Sequence, residues 1–434
     1  MDERHRLARE AAAAGRSAVG RGGRLSSLAA SASLGLSREL WLVEIGIFLN
    51  MLGYGAVLPF EIIYLHDGRG FSLSVAGLVV GVITGAGVVT SPLAGPLIDR
   101  LGARSVTAAA GVALAAGYAG LAFARSPGPA FAAAAVAGAG NGALNPGQST
   151  LMTVLARSGL RHRATAVSRV AGNAGIGIGG ALGGLVAAYG LTGFVALFLA
   201  NAVTYLAYVC VLIAVVRKAP RPERPRGGYR LVLRDRAFVR LALIDVAMIG
   251  VGWGVFSWLM PPYARNELSI GAPLIGVLLL ANAATVAVAQ VPIARLVEGR
   301  RRTGMIALAA AIFTGASLLV VAAGASRSVG YQTLAAASIA VGIGECFYSA
   351  VRMPLVADLA PPGLRGRYMA AMGLAWWTGL AIAPTLGAQL LSRAPAAVFL
   401  AAAGTSAAAG ISALTLERAL PEASRRTPRY VMTR

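Results

Sequence analysis

Charge is what this 434-residue chain has least of. Only 13% of its residues are charged, against about 25% in a soluble domain. With 57% hydrophobic residues and a mean hydropathy of +0.69, a water-soluble globule is excluded. Acidic residues are scarcer still, 17 against 39 basic ones, and the only lysine is Lys218. The three histidines (His5, His66 and His162) are scattered, which excludes a histidine-built metal or catalytic centre. The two cysteines, Cys210 and Cys346, fall inside apolar runs, so free thiols are expected rather than a disulfide framework. No H-E-x-x-H motif, phosphate-binding glycine loop or zinc-type spacing occurs, so no metal, cofactor or enzymatic activity is expected. A net charge of +22 would ordinarily suggest nucleic acid. The distribution excludes that partner, because the arginines sit in short gaps between apolar runs, as in proteins oriented in a lipid bilayer.

Those runs form twelve spans, near 40–65, 75–97, 105–124, 129–156, 166–188, 191–216, 240–263, 273–297, 304–325, 329–358, 367–391 and 395–417. Each is close to or above the roughly 20 residues a membrane helix needs. With the N-terminus in the cytoplasm, 33 of the 39 basic residues fall on the inner side. Arg69, Arg125, Arg265, Arg327 and Arg393 are the five outside. This asymmetry places both termini in the cytoplasm, and the enrichment in Arg, Ala and Gly points to a bacterial plasma membrane. A basic tail (1–38), without the apolar core of a secretory signal, precedes a first six-helix bundle (39–216). A proline- and arginine-rich cytoplasmic linker (217–239) leads to a second bundle (240–417) and a short tail (418–434). The linker composition is that of a poor helix former.

The two halves are copies. Gly138 to Val186 recurs without a gap at Gly342 to Leu390, at an offset of 204 residues. The identities include Gly140/Gly344, Leu160/Leu364, Arg161/Arg365, Gly175/Gly379 and Gly183/Gly387. Duplicated sets of membrane helices are the mark of secondary transporters, whose site lies between the repeats.

Between spans 2 and 3 stands Gly95-Pro-Leu-Ile-Asp99-Arg100-Leu-Gly102-Ala-Arg104. With twelve spans and a 6 + 6 duplication, this resembles the signature loop of the major facilitator superfamily. The resemblance runs from about Trp41 to Leu416 and implies an all-α fold of two pseudo-symmetric six-helix bundles. It also implies that Asp99 docks on helix 11 as a cytoplasmic gate of the outward-open state. Glu298, in the worn second copy Ala294 to Arg302, and Asp358, facing its arginines, complete the gating set. Span 5 carries Gly175, Gly179, Gly180, Gly183 and Gly184, similar to the glycine-rich motif of drug–proton antiporters. That motif usually has a proline where Gly180 stands; here the proline is in the repeat copy, as Pro384. The arginine that relatives often carry early in span 4 has no counterpart in Ala132 to Val136.

Polar residues inside the spans mark the site. Glu345, Tyr348, Ser349 and Arg352 fall at i, i+3, i+4 and i+7, one stripe of one helix. Their repeat partners are Asn141, Leu144, Asn145 and Gln148. Such residues either face a cavity, as the resemblance implies for helices 1, 4, 7 and 10, or form a Glu345–Arg352 pair that knits helices together. Asn50 and Glu61 share a face of span 1 with Tyr54 close by, Gly252-Trp253-Gly254 echoes Gly53-Tyr54-Gly55, and Asn50, Tyr54 and Trp253 join the stripes as candidates for the substrate cavity. Asp245 echoes Glu44; Glu44 reads as a headgroup residue, and Asp245 as that or as functional. Trp376 and Trp377 either stack on a flat substrate or fill packing, and Trp41 and Trp258 read as interface anchors. The candidates for proton coupling are Glu345, Arg352, Asp245 and Glu61, with Glu345 foremost.

These features predict a monomeric transporter that exports a small amphipathic molecule in exchange for protons. A proton-coupled uptake symporter of the same superfamily is the alternative. A polytopic membrane enzyme or lipid scaffold would need a carboxylate or histidine cluster at one membrane face, and the histidines are too scattered to form one.

Overall fold

The computed structural model describes residues 36–155, 161–216, 229–326, 328–361 and 364–427. Most of the basic tail, the linker core 217–228 and residues 428–434 lie outside the described residues. Twelve long helices are present among the described residues. The first six are α1 (Arg38–Gly68), α2 (Leu73–Leu101), α3 (Ala103–Phe123), α4 (Pro127–Leu155), α5 (Arg161–Ala187) and α6 (Leu191–Val215). The second six are α7 (Arg236–Leu268), α8 (Ala272–Val297), α9 (Arg302–Ala325), α10 (Gly330–Leu359), α11 (Arg365–Leu391) and α12 (Pro395–Leu416).

Eleven of them are long and apolar enough to cross a membrane. The twelfth, α4, has the length, at 29 residues. It falls short in hydropathy because Asn141, Asn145 and Gln148 lie along it. Large apolar side chains such as Val170, Leu185, Leu400 and Ile411 point outward, as a lipid-facing surface requires.

Each half packs in the same pattern. In the first, α1 lies against α5 and α6, α4 against α2 and α3, and α3 against α6. The second repeats this with α7 against α11 and α12, α10 against α8 and α9, and α9 against α12. The halves meet through α2–α11 and α5–α8, a pair of contacts that the duplication exchanges.

Where the linker was read as non-helical, Tyr229–Arg234 forms a short helix. Pro220, Pro222 and Pro225 all precede it, so nothing breaks the turn. Asp235 then caps α7, accepting from the Ala237 and Phe238 amides at 3.0 and 3.1 Å. Tyr368, in the first turn of α11, donates to the other oxygen of Asp235 at 2.9 Å.

Helix α5 has two small-residue faces. Gly175, Gly179 and Gly183 lie on the backbone of α1 at Phe48, Leu52 and Ala56. Gly177, Gly180 and Gly184 lie on α8 at Ala283, Leu279 and Ala272. The glycine-rich motif therefore serves packing within one half and between halves at once, as small residues do in membrane helices. A Cβ at Gly183 would stand 2.8 Å from Ala56 Cα. Gly183→Ala should thus lower stability by about 1–3 kcal/mol through overpacking. Gly315→Ala, which meets open space on α9, should leave the melting temperature in detergent unchanged. Equal melting of the two variants would sink this account of α5.

The two ends of the molecule differ. Near the end opposite the termini, α2 and α11 touch: Ser74 Oγ is 3.1 Å from Ser392 Oγ, and Gln389 donates to the Ser74 carbonyl at 3.0 Å. Gly77, Gly81 and Gly87 of α2 rest on Pro384, Thr385 and Trp377. Further along, Gly95 on α2 and Gly373 and Gly366 on α11 have nothing within 4 Å of a Cβ position. On the other seam, Gly184, Gly180 and Gly177 abut α8, whereas Gly172 meets only Met51 of its own half. The halves are therefore joined at one end and splayed at the end that carries the termini.

Candidate functional site

The splay exposes the approach to two polar nodes, one in each half. In the second half, Asp245 of α7 is wholly buried. Arg352 of α10 grips both its oxygens, Nε on Oδ1 and Nη2 on Oδ2, the latter at 2.7 Å. Tyr348, one turn earlier on α10, donates to Asp245 Oδ1 at 2.5 Å. The guanidinium also reaches the Met372 carbonyl of α11 at 3.5 Å and lies 5.1 Å from the Trp376 ring centroid. Trp376 packs on Trp253 at 5.1 Å. Tyr348 and Arg352 thus hold one buried carboxylate, and Trp376, with Trp253 packed on it, covers the guanidinium.

This arrangement corrects the reading of Arg352 as a partner of Glu345. Seven residues along a helix is roughly 10.5 Å of rise, and the arginine turns to the carboxylate of the adjacent helix instead. It also encloses Asp245 between α7 and α10. Glu345 stands apart, 9% exposed, with its carboxyl facing Asn282 of α8. Asn282 itself donates to the Ser338 carbonyl at 3.2 Å. Among the described residues no cation pairs with Glu345. Ser349 turns aside to Gln290 of α8, at 3.3 Å.

The first half holds the matching node. Glu44 of α1, 2% exposed, accepts from Ser168 of α5 at 2.5 Å. It is enclosed by protein rather than open to the surroundings of the helix end. Tyr208 of α6 lies near it, and Gln148 of α4 lies against Tyr208. Asn50 is wholly buried next to Tyr205. Tyr54 and Asn141 are half-buried and Asn145 is exposed.

At the joined end, Glu61 of α1 is buried and spans the two halves. Tyr118 of α3 donates to Oε1 at 3.0 Å, and Trp258 of α7 donates its indole N–H to Oε2 at 2.9 Å. Trp258 is therefore no interface anchor; it is buried and holds a cross-half bond. An exposed Arg265–Asp67 pair at 3.5 Å joins the halves beside it. Trp377 is buried against Gly87 of α2, on the seam rather than beside Trp376.

The loop residues gather at the splayed end. Gly102 has φ +84°, which only glycine adopts without strain, and it makes the α2–α3 turn. Arg104 donates to the Ile213 carbonyl at 2.6 Å, a cation at the C-terminus of α6. Asp99 is half-buried and Arg100 exposed; among the described residues Asp99 makes no hydrogen bond or ion pair. In the second half Asp358 pairs with the buried Arg302 at 2.6 Å, while Glu298 is half-buried. Thr427 exchanges backbone hydrogen bonds with Gly299 and Arg300, both at 3.1 Å, so the C-terminal segment is fastened to the α8–α9 loop.

Sequence reasoning missed the partners more than the residues. Asp245 with Arg352, Glu44 with Ser168 and Glu61 with Trp258 were not foreseen. A signal for the first two existed, because Glu44 echoes Asp245 and the offset of 204 relates Gln148 to Arg352 and Ser168 to Met372. Among the described residues no group of three His, Cys, Asp or Glu side chains converges as a metal site would need.

Comparison with known proteins bears on what such a molecule does. The family model described as Major Facilitator Superfamily matches residues 43–251 and again 242–430. The chain is 27% identical to an uncharacterized MFS-type transporter, YttB, of Bacillus subtilis, covering 82% of this chain and 89% of the relative. It is 29% identical to the multidrug resistance protein MdtH of Yersinia enterocolitica, covering 78% and 82%. Among solved structures, a POT family transporter in complex with 5-aminolevulinic acid superposes with a TM-score of 0.73 at 14% identity, covering 87% of this chain and 96% of that one. A D-xylose–proton symporter gives 0.71 at 14%, covering 89% and 99%. At such identities the likeness is one of fold.

Proposed function

The chain belongs to the major facilitator superfamily, and from that membership we propose that it exports a small amphipathic molecule in exchange for protons. It is a multi-pass membrane transporter. The export direction rests on the relatives named for multidrug resistance. We place both termini in the cytoplasm of a bacterial plasma membrane, following the basic residues, and take the working unit as a monomer. The splayed end then opens to the cytoplasm and the joined end seals the outside. In that state the gate assigned to Asp99 is disengaged, in keeping with its lack of a partner. Transport proceeds by rocking the halves about the α2–α11 and α5–α8 seams.

Glu345 carries the proton in this reading. The observation behind it is the contrast between two acids in one half. Asp245 is neutralised by a gripping guanidinium, whereas Glu345 is buried beside a neutral amide. A carboxyl without a fixed countercharge is the one whose charge changes as the halves rock. The carboxylate must take a proton when facing outward and release it when open to the cytoplasm. Asn282 offers a hydrogen-bonding neighbour to either form.

The test is Glu345→Gln in proteoliposomes under an imposed pH gradient, with a substrate first found by a survival panel. Uphill transport should vanish while downhill exchange persists at a substantial fraction of the normal rate. Gradient-driven transport at the wild-type rate by folded Glu345→Gln protein would remove the assignment. Proton-driven accumulation on the side that corresponds to the cytoplasm would establish uptake symport instead.

A further inference from the structure

The two nodes are related position by position. Asp245, Arg352 and Met372 in the second half correspond to Glu44, Gln148 and Ser168 in the first. The carboxylate is kept, on the same turn of the first helix of each half. The backbone acceptor at Met372 is matched by a residue that holds the carboxylate from the same helix position, Ser168. What differs is the cation, because a guanidinium stands in one half and a neutral amide in the other.

The first-half node is left incomplete. Glu44 Oε1 has the Ser168 hydroxyl, but Oε2 is buried with no hydrogen-bond partner. Tyr208 Oη stands near it with Gln148 alongside the tyrosine, and neither the Tyr208 hydroxyl nor Gln148 Nε2 makes a hydrogen bond to Glu44. Among the described residues no arginine or histidine lies within ion-pair distance of Glu44. A carboxylate so buried is retained only when something neutralises it. In Asp245 that something is part of the chain; for Glu44 it is either a proton or a cation from outside, and the neutral oxygens beside it suit a cation.

We propose that Glu44, Gln148, Ser168 and Tyr208 form a binding site for a compact monovalent cation, which occupies the place the Arg352 guanidinium holds in the other half. Glu44 supplies the charge. The Gln148 carbonyl and the Ser168 and Tyr208 hydroxyls supply neutral oxygens. The node is reached from the splayed end, where Glu44 lies two turns into α1 and Gln148 and Ser168 are only half-buried. Two sources share the required chemistry: the ammonium or guanidinium head of an organic solute, and an alkali-metal ion. The site is independent of which carboxylate carries the coupling proton.

Binding is read on the purified full-length protein by thermal melting at fixed ionic strength, with the bulky N-methylglucammonium ion as the reference cation. Methylguanidinium, methylammonium and sodium are titrated separately, well below denaturing concentrations. At least one should raise the melting temperature saturably in the wild type. In Glu44→Gln its apparent affinity should fall by at least about tenfold, equivalent to 1.4 kcal/mol. Gln148→Arg rebuilds the second-half node, so it should melt higher without added cation and respond to none. This variant carries the test if Glu44→Gln fails to fold. Saturation by the organic cations alone assigns the site to an organic head group, and saturation by sodium assigns it to an alkali ion. No saturable response in the wild type, or an equal response in Gln148→Arg, overturns the site.

Discussion

Asp245→Asn should be among the most destabilising single substitutions in the chain, by about 3–5 kcal/mol. That is the usual loss when one member of a buried ion pair is removed and the other is left without its charge. Arg352 is 12% exposed on its side chain and cannot shed its proton. It would stay charged against the Trp376 ring with only neutral acceptors, the new amide oxygen, the Tyr348 hydroxyl and the Met372 carbonyl, to receive it. Arg352→Gln should cost less, because an abandoned carboxylate can be neutralised by protonation whereas a guanidinium cannot. The double variant Asp245→Asn/Arg352→Gln replaces the pair by two amides able to bond each other, and should recover most of the loss. Thermal melting and yield of membrane-inserted protein measure all three. A double variant weaker than Asp245→Asn alone would mean that the pair is not what stabilises the α7–α10 contact.

The second large effect concerns the joined end. Ser74 and Ser392 face each other across the α2–α11 seam at 3.1 Å between hydroxyl oxygens. Cysteines at both positions would bring two sulfurs within reach of a bond. Cys210 is exposed and should first become serine, while Cys346 is buried and can remain. Oxidation should abolish both net transport and exchange, because the end must part for the substrate to leave or enter on that side. Reduction should restore the activity of the unoxidised double variant. Normal turnover by protein shown by mass to be fully cross-linked would remove α2–α11 as a moving seam.

Much of this architecture was legible before any coordinates. Helix count, duplication and pairing symmetry follow from apolar run length and a 204-residue offset, both of which report on backbone periodicity. What stayed hidden is rotation. A polar stripe says which residues share a face, but the facing helix decides whether Arg352 meets Glu345 or Asp245. The enclosure of Glu44 was hidden because six residues from a helix start looks open to the headgroup layer, whereas here Ser168 of α5 and Tyr208 of α6 pack around it. Trp258 was misread for the same reason, since indoles near span ends usually sit at the lipid interface. Only knowledge of the seam shows that Glu61 lies opposite. Trp376 and Trp377, adjacent in sequence, end on different faces, one against a cation and one against glycine.

The two glycine faces of α5 have a consequence for how this chain can vary. At 3.6 residues per turn each residue advances the helix by roughly 100°. Gly175, Gly179 and Gly183 drift slowly around one side while Gly177, Gly180 and Gly184 drift around the other. A single inserted residue after Gly179 would carry Gly183 from α1 round to α8 and move Gly184 off both contacts. A single deletion would do the reverse. The helix therefore acts as a ruler whose register two neighbours read at once. A substitution at one mark strains one contact, but a change in length displaces every mark beyond it. Chimaeras that exchange segments of this helix should tolerate junctions in the turns that flank it, and fail at junctions that shift the count within it.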